Sequence, residues 1–261
     1  MSKDKYVKIG KMNMYYEESG CGLPLILIHG GTAVSGMWKD IVPLLSKHYR
    51  VITPDSRGHG KTDNPTKTMT YPLLADDIAS FIKTLNLKKP FICGHSDGGQ
   101  IALELAMRYV GLCSALVIAS AYYVMPEQFA DSLKKFGFLS KGKVDLQYIR
   151  KKKSNNVKFW KEVHIDNKNP NKWIELLQQI SEMWWTPFQY NSEDFNKIKD
   201  PTLILTGDRD EYIPVEQALH MYNSIKNSEL AVLPGTSHVS FFDEPELFTK
   251  AVLNFLERQK Q

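Results

Sequence analysis

Three side chains, Ser96, Asp210 and His238, are of the types that together perform nucleophilic catalysis on a carbonyl group. A serine hydroxyl is a weak nucleophile until a neighbouring base takes its proton, and histidine is the usual base at neutral pH. The histidine in turn needs a carboxylate that orients its ring and stabilises the imidazolium formed during turnover. Such chemistry requires a fold that brings these three distant residues together.

Ser96 lies at the centre of a G-x-S-x-G motif within residues 91–100 (F-I-C-G-H-S-D-G-G-Q). Three apolar residues precede the motif and a helical pattern follows it, so a strand has to turn at once into a helix. Small residues two positions before and after the serine permit such a sharp turn. The hydroxyl of Ser96 then projects beside the positive end of the helix. A glycine-rich turn without a catalytic role is the alternative interpretation.

His238 is the best placed of the seven histidines to act as the base. It follows the last predicted strand in the loop at residues 234–238, before the closing helix. The side chain of His95 is expected to point away from Ser96. The other histidines lie in helical patterns, in an inserted segment, or in loops that they are expected to hold in shape: His48 and His220, His164, and His29 and His59.

The loop at residues 207–214 (G-D-R-D-E-Y-I-P) offers three acids after the preceding strand. Asp210 is separated from that strand by a short turn and can reach inward toward His238. Asp208 is instead expected to cap the turn or to pair with Arg209. Asp210 is therefore the predicted partner of the histidine.

The elements that position these residues alternate between strand and helix. Continuous apolar runs predict the strands, and helical spacing of apolar residues predicts the helices. Such alternation predicts an α/β fold with a mostly parallel central sheet and helices on both faces. In these sheets the functional site lies beyond the carboxyl ends of the strands, where residues 29–31, Asp55 and Ser96 all fall. The predicted strands are residues 6–9, 12–16, 25–28, 51–53, 91–93, 116–119, 201–206 and 230–233, and the predicted helices lie near 38–49, 74–85, 101–107, 214–225 and 245–256.

Residues 122–198 interrupt this alternation. The stretch is rich in Lys, Asn, Gln, Trp and Phe, and helical segments are predicted near 126–139, 144–153 and 171–185. The third of these segments carries a single apolar stripe. We therefore predict a helical cap inserted into a core domain made of residues 1–121 and 199–261.

Composition excludes several classes of protein. The net charge of +4 is small and spread along 261 residues, so no nucleic-acid partner is predicted. No apolar run approaches the ~20 residues of a membrane span, and the polar start at residues 1–5 lacks the apolar core of a signal peptide. The three cysteines lack metal-ligand spacing. A cytoplasmic enzyme that needs no metal or organic cofactor is the expectation.

The order Ser96, Asp210, His238 along the chain resembles that of the α/β-hydrolase superfamily. This similarity implies an α/β-hydrolase fold in the serine esterase and lipase branch. It also supports Asp210, because the catalytic acid of relatives stands in a G-x-x-D string. The similarity extends over nearly the whole chain, through H-G-G at residues 29–31, D-S-R-G-H-G at 55–60, G-H-S-D-G-G at 94–99, G-D-R-D at 207–210 and G-T-S-H at 235–238.

The resemblance further implies which groups bind the oxyanion of the tetrahedral intermediate. They would be the backbone N–H groups of Gly31 and Asp97, and losing one such donor typically costs about 10²–10³ in rate. The side chain of Asp97 has two interpretations: an acid favoured by the helix dipole, or a carboxylate that binds a substrate ammonium. The S-D-G-G string is similar to that of amino-acid-ester hydrolases of the valacyclovir hydrolase type, in which an acid at this position has the second role.

We predict a serine hydrolase that cleaves small carboxylic esters through an acyl-enzyme. Trp184 and Trp185 are expected either to line an acyl pocket or to form the core of the cap. Hydrolysis of amino-acid esters, of enol-lactones and of carbon–carbon bonds are alternatives within the fold, although no polar group that would stabilise a carbanion is identifiable in the cap. Outside enzymes, a ligand-binding receptor of this fold is the alternative. The predicted partner is a small-molecule ester, and the oligomeric state, a homo-oligomer included, stays open.

Overall fold

The centre of the protein is an eight-stranded sheet, seen in a computed structural model that describes residues 4–166 and 169–260. Residues 1–3, which enter the prediction about the N-terminus, lie outside this range. The strands in chain order are β1 (Lys5–Ile9), β2 (Met12–Ser19), β3 (Pro24–Ile28), β4 (Arg50–Pro54), β5 (Phe91–His95), β6 (Ala115–Ala119), β7 (Phe138–Ser140), β8 (Lys143–Val144), β9 (Thr202–Gly207) and β10 (Ser228–Leu233).

Helices connect these strands. After a 3-10 helix at Ser35–Trp38 they are α1 (Val42–Leu45), α2 (Tyr71–Thr84), α3 (Asp97–Arg108), α4 (Glu127–Phe136), α5 (Leu146–Lys152), α6 (Ser154–Val163), α7 (Lys172–Trp184), α8 (Ser192–Phe195), α9 (Val215–Ser224), α10 (Ser240–Asp243) and α11 (Pro245–Glu257).

The large sheet has the order β1-β2-β4-β3-β5-β6-β9-β10. The hairpin of β1 and β2 is antiparallel and joins β4 in the antiparallel sense, whereas the pairs from β4 to β10 are parallel. This confirms the predicted mostly parallel α/β sheet. Because parallel strands share one direction, the residues that follow β3, β5, β9 and β10 meet at the same edge of the sheet.

Helices cover both faces of the sheet. In β3, Leu25 and Leu27 pack into a core that contains apolar residues of α11, whereas Ile26 and Ile28 pack into a second core with α2 and α3. Successive side chains of a strand point to opposite faces, so a strand buried on both sides is apolar at every position. This is why the run at residues 25–28 has no polar alternation.

One predicted helix is much shorter than expected. Trp38, Ile41, Leu45 and Tyr49 keep helical spacing and are fully buried, but the chain forms only the 3-10 helix and the one-turn α1 there. Pro43 has no N–H to donate and is tolerated only in the first turn of a helix, so a continuous helix through this point is excluded. The pattern correctly predicted burial and overestimated the helix.

Residues 122–198, here called the cap segment, contain α4 to α8 between β6 and β9. Three elements were missed by sequence reasoning: α6, the one-turn helix α8, and a hairpin of β7 and β8. The hairpin follows Gly137, which ends α4 at φ +112°, a conformation that glycine adopts without steric cost. Residues 167–168 of the segment lie outside the described chain, and its status as a separate domain stays a prediction.

Candidate active site

Ser96 occupies a strained position between β5 and α3. Its φ of +54° and ψ of −117° lie in a region that costs a residue with a side chain on the order of 1–3 kcal/mol. The turn is possible because residues 94 and 98 are both glycine. A Cβ at position 94 would clash with the carbonyl of Gly98, and a Cβ at position 98 would clash with the carbonyl of Ile28. The two glycines thus let the new helix pack directly against β5 and β3.

Asp210 and His238 are hydrogen-bonded to each other. Nδ1 of His238 lies 3.0 and 2.9 Å from the two carboxylate oxygens of Asp210. One of these oxygens also accepts the backbone N–H groups of Tyr212 (2.9 Å) and Ile213 (2.8 Å). The loop after β9 therefore holds the carboxylate in place, and the Nε2 atom of His238 is left for another partner.

The charge of Asp210 is stabilised despite its burial. Burial acts to raise the pKa of this carboxyl, but the hydrogen bond and charge of His238, together with the two backbone N–H groups, hold the pKa below its ordinary value. Hydrogen bonds to the charged form of a carboxyl have this effect in general. An ionised Asp210 is the form that can orient an imidazole and stabilise its protonated state.

Asp208, the other acid considered for this position, has a different role. Its Oδ1 accepts the backbone N–H of Gly235 at 2.6 Å, and its Oδ2 lies 3.7 Å from Nε of Arg209. It therefore braces the two loops that carry Asp210 and His238 and does not contact the imidazole.

A cavity of about 340 Å³ opens onto both Ser96 and His238. Gly31, Thr32, Tyr212 and Val239 complete its wall on the core side, and the rest of the wall comes from the cap segment. Most of the cap residues are apolar: Phe129, Leu133, Phe136, Phe138, Trp160 and Trp184, with Ser132 and Asn156 as polar members. Among the lining residues of the described chain there is no Lys, Arg, Asp or Glu, and the titratable groups are the imidazole of His238 and the phenol of Tyr212.

Gly31 and Asp97 lie side by side next to the candidate nucleophile. A Cβ at Gly31 would come 2.5 Å from Oδ2 of Asp97 and 2.6 Å from Cζ2 of Trp184. Both distances are too short for real contacts, so residue 31 has to be glycine for the loop after β3 to approach α3 this closely. The two residues predicted to supply oxyanion donors are thus brought together.

The carboxylate of Asp97 is buried and fully engaged. It accepts the indole N–H of Trp184 at 2.9 Å to each oxygen and the hydroxyl of Tyr71 at 2.8 Å. Burial raises its pKa to about 6, against the lowering effect of the hydrogen bonds from Trp184 and Tyr71. It is not one of the groups that line the cavity. Trp185 is likewise away from the cavity, and its indole donates to the carbonyl of Phe138 at 3.2 Å.

His95 is a site residue whose contact sequence reasoning missed. Its Nε2 lies 2.8 Å from the carbonyl oxygen of His238. Burial, with a smaller effect from the charge of His238, lowers the pKa of His95 to about 3. The ring is therefore neutral and donates its Nε2 proton to that carbonyl, which holds the backbone of the candidate base. The one feature of the sequence that could have indicated this contact is the position of His95 at the end of a central strand, where the site was expected.

The remaining histidines are placed as follows. His29 and His59 are buried in the loops after β3 and β4, with ring centroids 4.9 Å apart, which agrees with the expected role in loop structure. His220, which lies on α9, stacks on Tyr123. Nδ1 of His48 lies 3.8 Å from Oε1 of Glu257. His164, expected only to lie within the inserted segment, contacts Gly60 and Thr32 of the core.

Two further observations concern other kinds of site. Among residues 4–166 and 169–260, no group of three or more His, Cys, Asp or Glu side chains is arranged to hold a metal ion. A search of the same residues finds no helix with the length and apolar character needed to cross a membrane.

Comparison with known proteins adds to this geometry. A model of the alpha/beta hydrolase family matches residues 25–251. The chain is 30% identical over 268 residues to 2-hydroxy-6-oxo-6-(2'-aminophenyl)hexa-2,4-dienoic acid hydrolase of Metapseudomonas resinovorans, covering 98% of this chain and 91% of the relative. It is 24% identical over 270 residues to pimeloyl-(acyl-carrier protein) methyl ester esterase of Nitrosospira multiformis, covering 95% and 99%. A solved serine hydrolase involved in carbazole degradation superposes with a TM-score of 0.79 at 28% identity, covering 98% and 99%.

Proposed function

Since the chain belongs to the alpha/beta hydrolase family, we propose that it is a serine hydrolase that cleaves small, uncharged carboxylic esters. The observation that carries the proposal is the hydrogen-bonded pair of Asp210 and His238 at a cavity that also exposes Ser96. The named relatives are hydrolases, and one of them is a methyl ester esterase. Ester hydrolysis needs no chemistry beyond these three side chains and two backbone donors.

In the proposed reaction Ser96 Oγ attacks the ester carbonyl while Nε2 of His238 takes its proton. The carboxylate of Asp210 accepts a hydrogen bond from Nδ1–H, which fixes the tautomer, and its charge stabilises the imidazolium. The N–H groups of Gly31 and Asp97 bind the negative charge that develops on the carbonyl oxygen. His238 then protonates the leaving alcohol, and water, activated by the same imidazole, hydrolyses the acyl-enzyme and releases Ser96.

The lining of the cavity supports an uncharged substrate. Its aromatic and aliphatic wall favours an apolar acyl group, and none of the described residues that line it carries a fixed cation or carboxylate to pair with a substrate charge. Burying an unpaired charge there would be strongly unfavourable. We propose that Trp184 contacts the acyl group; a contact of Trp185 with substrate stays a prediction.

Cleavage of a carbon–carbon bond is the second candidate, because the relative at 30% identity is named as a dienoic acid hydrolase. Ser132 and Asn156, which line the cavity from the cap segment, are polar groups of the kind that such a reaction requires and that could not be identified in the sequence. Against this candidate, the carboxylate of a dienoic acid would find no Lys or Arg in the lining described above.

Hydrolysis of amino-acid esters is the third candidate and depends on the side chain of Asp97. A substrate ammonium would have to replace the hydrogen bonds that Trp184 and Tyr71 donate to this carboxylate. If Asp97 binds the ammonium, Asp97→Asn should lower kcat/KM for α-amino esters far more than for the matching simple esters. Equal losses on the two series would reject this role.

The proposed function is tested by labelling with a fluorophosphonate and by a substrate panel. We expect the wild type to be labelled on Ser96 and to hydrolyse p-nitrophenyl acetate and butyrate, whereas Ser96→Ala does neither above background. Turnover should be much weaker with the mono-p-nitrophenyl ester of succinate, because its free carboxylate is unpaired in the cavity. A folded wild type that is neither labelled nor active would favour a ligand-binding receptor, and turnover of a dienoic acid in preference to esters would favour the second candidate.

A further inference from the structure

His164 of the cap segment is buried against two loops of the core. It follows α6 and is only 3% exposed. Its Nδ1 lies 2.9 Å from the backbone nitrogen of Gly60, and its Nε2 lies 3.1 Å from the carbonyl oxygen of Thr32. One imidazole thus joins the cap segment to the loop after β4 and to the loop after β3.

The tautomer of His164 follows from its partners. The backbone N–H of Gly60 can only donate, so Nδ1 is the acceptor and Nε2 carries the proton that is donated to Thr32. Burial lowers the pKa of this imidazole to about 3, so the ring stays neutral near neutral pH. The carbonyl of Thr32 therefore has a permanent donor from the cap segment.

Thr32 is a residue whose conformation has to be held. It follows Gly31 directly and has a φ of +57°, a left-handed conformation that is uncommon for a residue other than glycine. Such conformations persist only where the surrounding structure enforces them. The hydrogen bond from His164 is one such restraint, and it acts on the residue next to the predicted oxyanion donor Gly31.

A second contact from the cap segment reaches the other predicted oxyanion donor. Trp184, at the end of α7, donates its indole N–H to both carboxylate oxygens of Asp97 at 2.9 Å. The same indole packs so closely on Gly31 that no side chain fits there. The cap segment therefore contacts both residues whose backbone N–H groups are expected to bind the oxyanion.

We propose, on the basis of the serine hydrolase function given above, that the cap segment completes the oxyanion hole and that His164 is a positioning residue for it. His164 acts through Thr32: its hydrogen bond to the carbonyl oxygen keeps the loop after β3 in the conformation that aims the Gly31 N–H at the developing charge. Trp184 holds Asp97 through the hydrogen bonds of its indole N–H to the carboxylate. The cap segment is then part of the catalytic geometry as well as the wall of the substrate cavity.

Two substitutions of similar size separate the two hydrogen bonds of His164. The amide of a glutamine reaches about as far as Nε2 of histidine, so His164→Gln keeps a donor for Thr32 and loses the acceptor for Gly60. The shorter side chain of asparagine places its oxygen near the position of Nδ1, so His164→Asn keeps the acceptor for Gly60 and loses the donor for Thr32. Each variant loses one buried hydrogen bond, so their thermal stabilities should fall by similar amounts.

The measurements are kcat and KM for p-nitrophenyl butyrate and the Ki of an alkylboronic acid, which forms a tetrahedral adduct with the serine. Losing a whole oxyanion donor lowers kcat by about 10²–10³-fold. A donor that is only misaimed, as expected in His164→Asn, should therefore lower kcat by about tenfold. The boronic acid should bind about tenfold more weakly, with KM little changed. His164→Gln should retain most of both. Equal losses in the two variants, or an unchanged kcat in His164→Asn, would overturn the positioning role. An inactive, unlabelled wild type would instead reject the serine hydrolase function.

Discussion

The residue before the candidate nucleophile holds the backbone of the candidate base: Nε2 of His95 lies 2.8 Å from the carbonyl oxygen of His238. The two residues are 143 positions apart, yet one hydrogen bond ties the end of β5 to the loop after β10. Because His95 is adjacent to Ser96, this contact sets the distance between the two chain segments that carry nucleophile and base.

His95→Phe should lower kcat by about tenfold. The ring retains its packing on Trp38 and Phe241, and the Nδ1 atom has no hydrogen-bond partner to lose. The change therefore removes the single bond to the His238 carbonyl, which leaves a buried acceptor unsatisfied at a cost of roughly 1–3 kcal/mol. Steady-state kinetics and urea unfolding measure the two effects. An unchanged kcat, with or without lost stability, would show that His95 does not position the base.

Asp210→Asn should nearly abolish activity and leave the fold intact. An asparagine amide cannot stabilise the imidazolium and favours the wrong tautomer of the histidine; in serine proteases the same change costs about 10⁴ in kcat. Asp208→Asn is the matched control, because its side-chain oxygen can still accept the N–H of Gly235 and it does not contact His238. Comparable losses in both variants would refute the assignment of Asp210 as the acid.

Gly31→Ala should lower both activity and stability. The new Cβ would meet Oδ2 of Asp97 at 2.5 Å and the indole of Trp184 at 2.6 Å, so the loop has to move away from α3. Overpacking of this kind costs typically about 1–3 kcal/mol, and displacing an oxyanion donor should reduce kcat/KM by ~10²-fold. Gly36→Ala is the control, since its Cβ would meet only Val34 at 3.9 Å. Wild-type activity in Gly31→Ala would remove residue 31 from the proposed oxyanion hole.

Asp97→Asn should change how stability depends on pH. Burial raises the pKa of the Asp97 carboxyl from 3.8 to about 6, so the folded protein holds this proton more tightly than the unfolded chain does. The contribution of Asp97 to the free energy of unfolding is therefore greatest below pH ~4 and falls as the pH rises through the interval from about 4 to about 6.

An asparagine does not titrate, so the free energy of unfolding of the variant does not fall with rising pH for this reason. At about 1.4 kcal/mol per pH unit, the stability of Asp97→Asn relative to the wild type should rise by on the order of 3 kcal/mol between about pH 4 and about pH 7. Urea unfolding at several pH values measures the difference. A difference that does not vary with pH would mean that the carboxylate is not held in the buried, high-pKa state.

Much of the architecture was predictable because its signals are local. Apolar runs such as residues 25–28 and 116–119 are strands buried on both faces, and the glycines around Ser96 are required by the turn itself. The order of strand ends along the chain then identified Asp210 and His238 as partners, and the structure places them in hydrogen-bond contact. One of the exceptions, at residues 38–49, arose because Pro43 interrupts a helix without changing which side chains are buried.

The contacts that surround these residues could not be read from spacing. His95 with His238, His164 with Thr32, and Trp184 with Asp97 join positions 143, 132 and 87 residues apart. Periodicity shows that a side chain is buried or lies at a strand end, but it does not show which distant donor will meet which carbonyl. Those pairings depend on how the cap segment packs onto the core. The sequence was sufficient to predict the fold class and the type of chemistry. The environment of Asp97 and the placement of His164 became visible only in three dimensions. The reason is that hydrogen-bond partners are set by packing between elements and not by the order of residues within them.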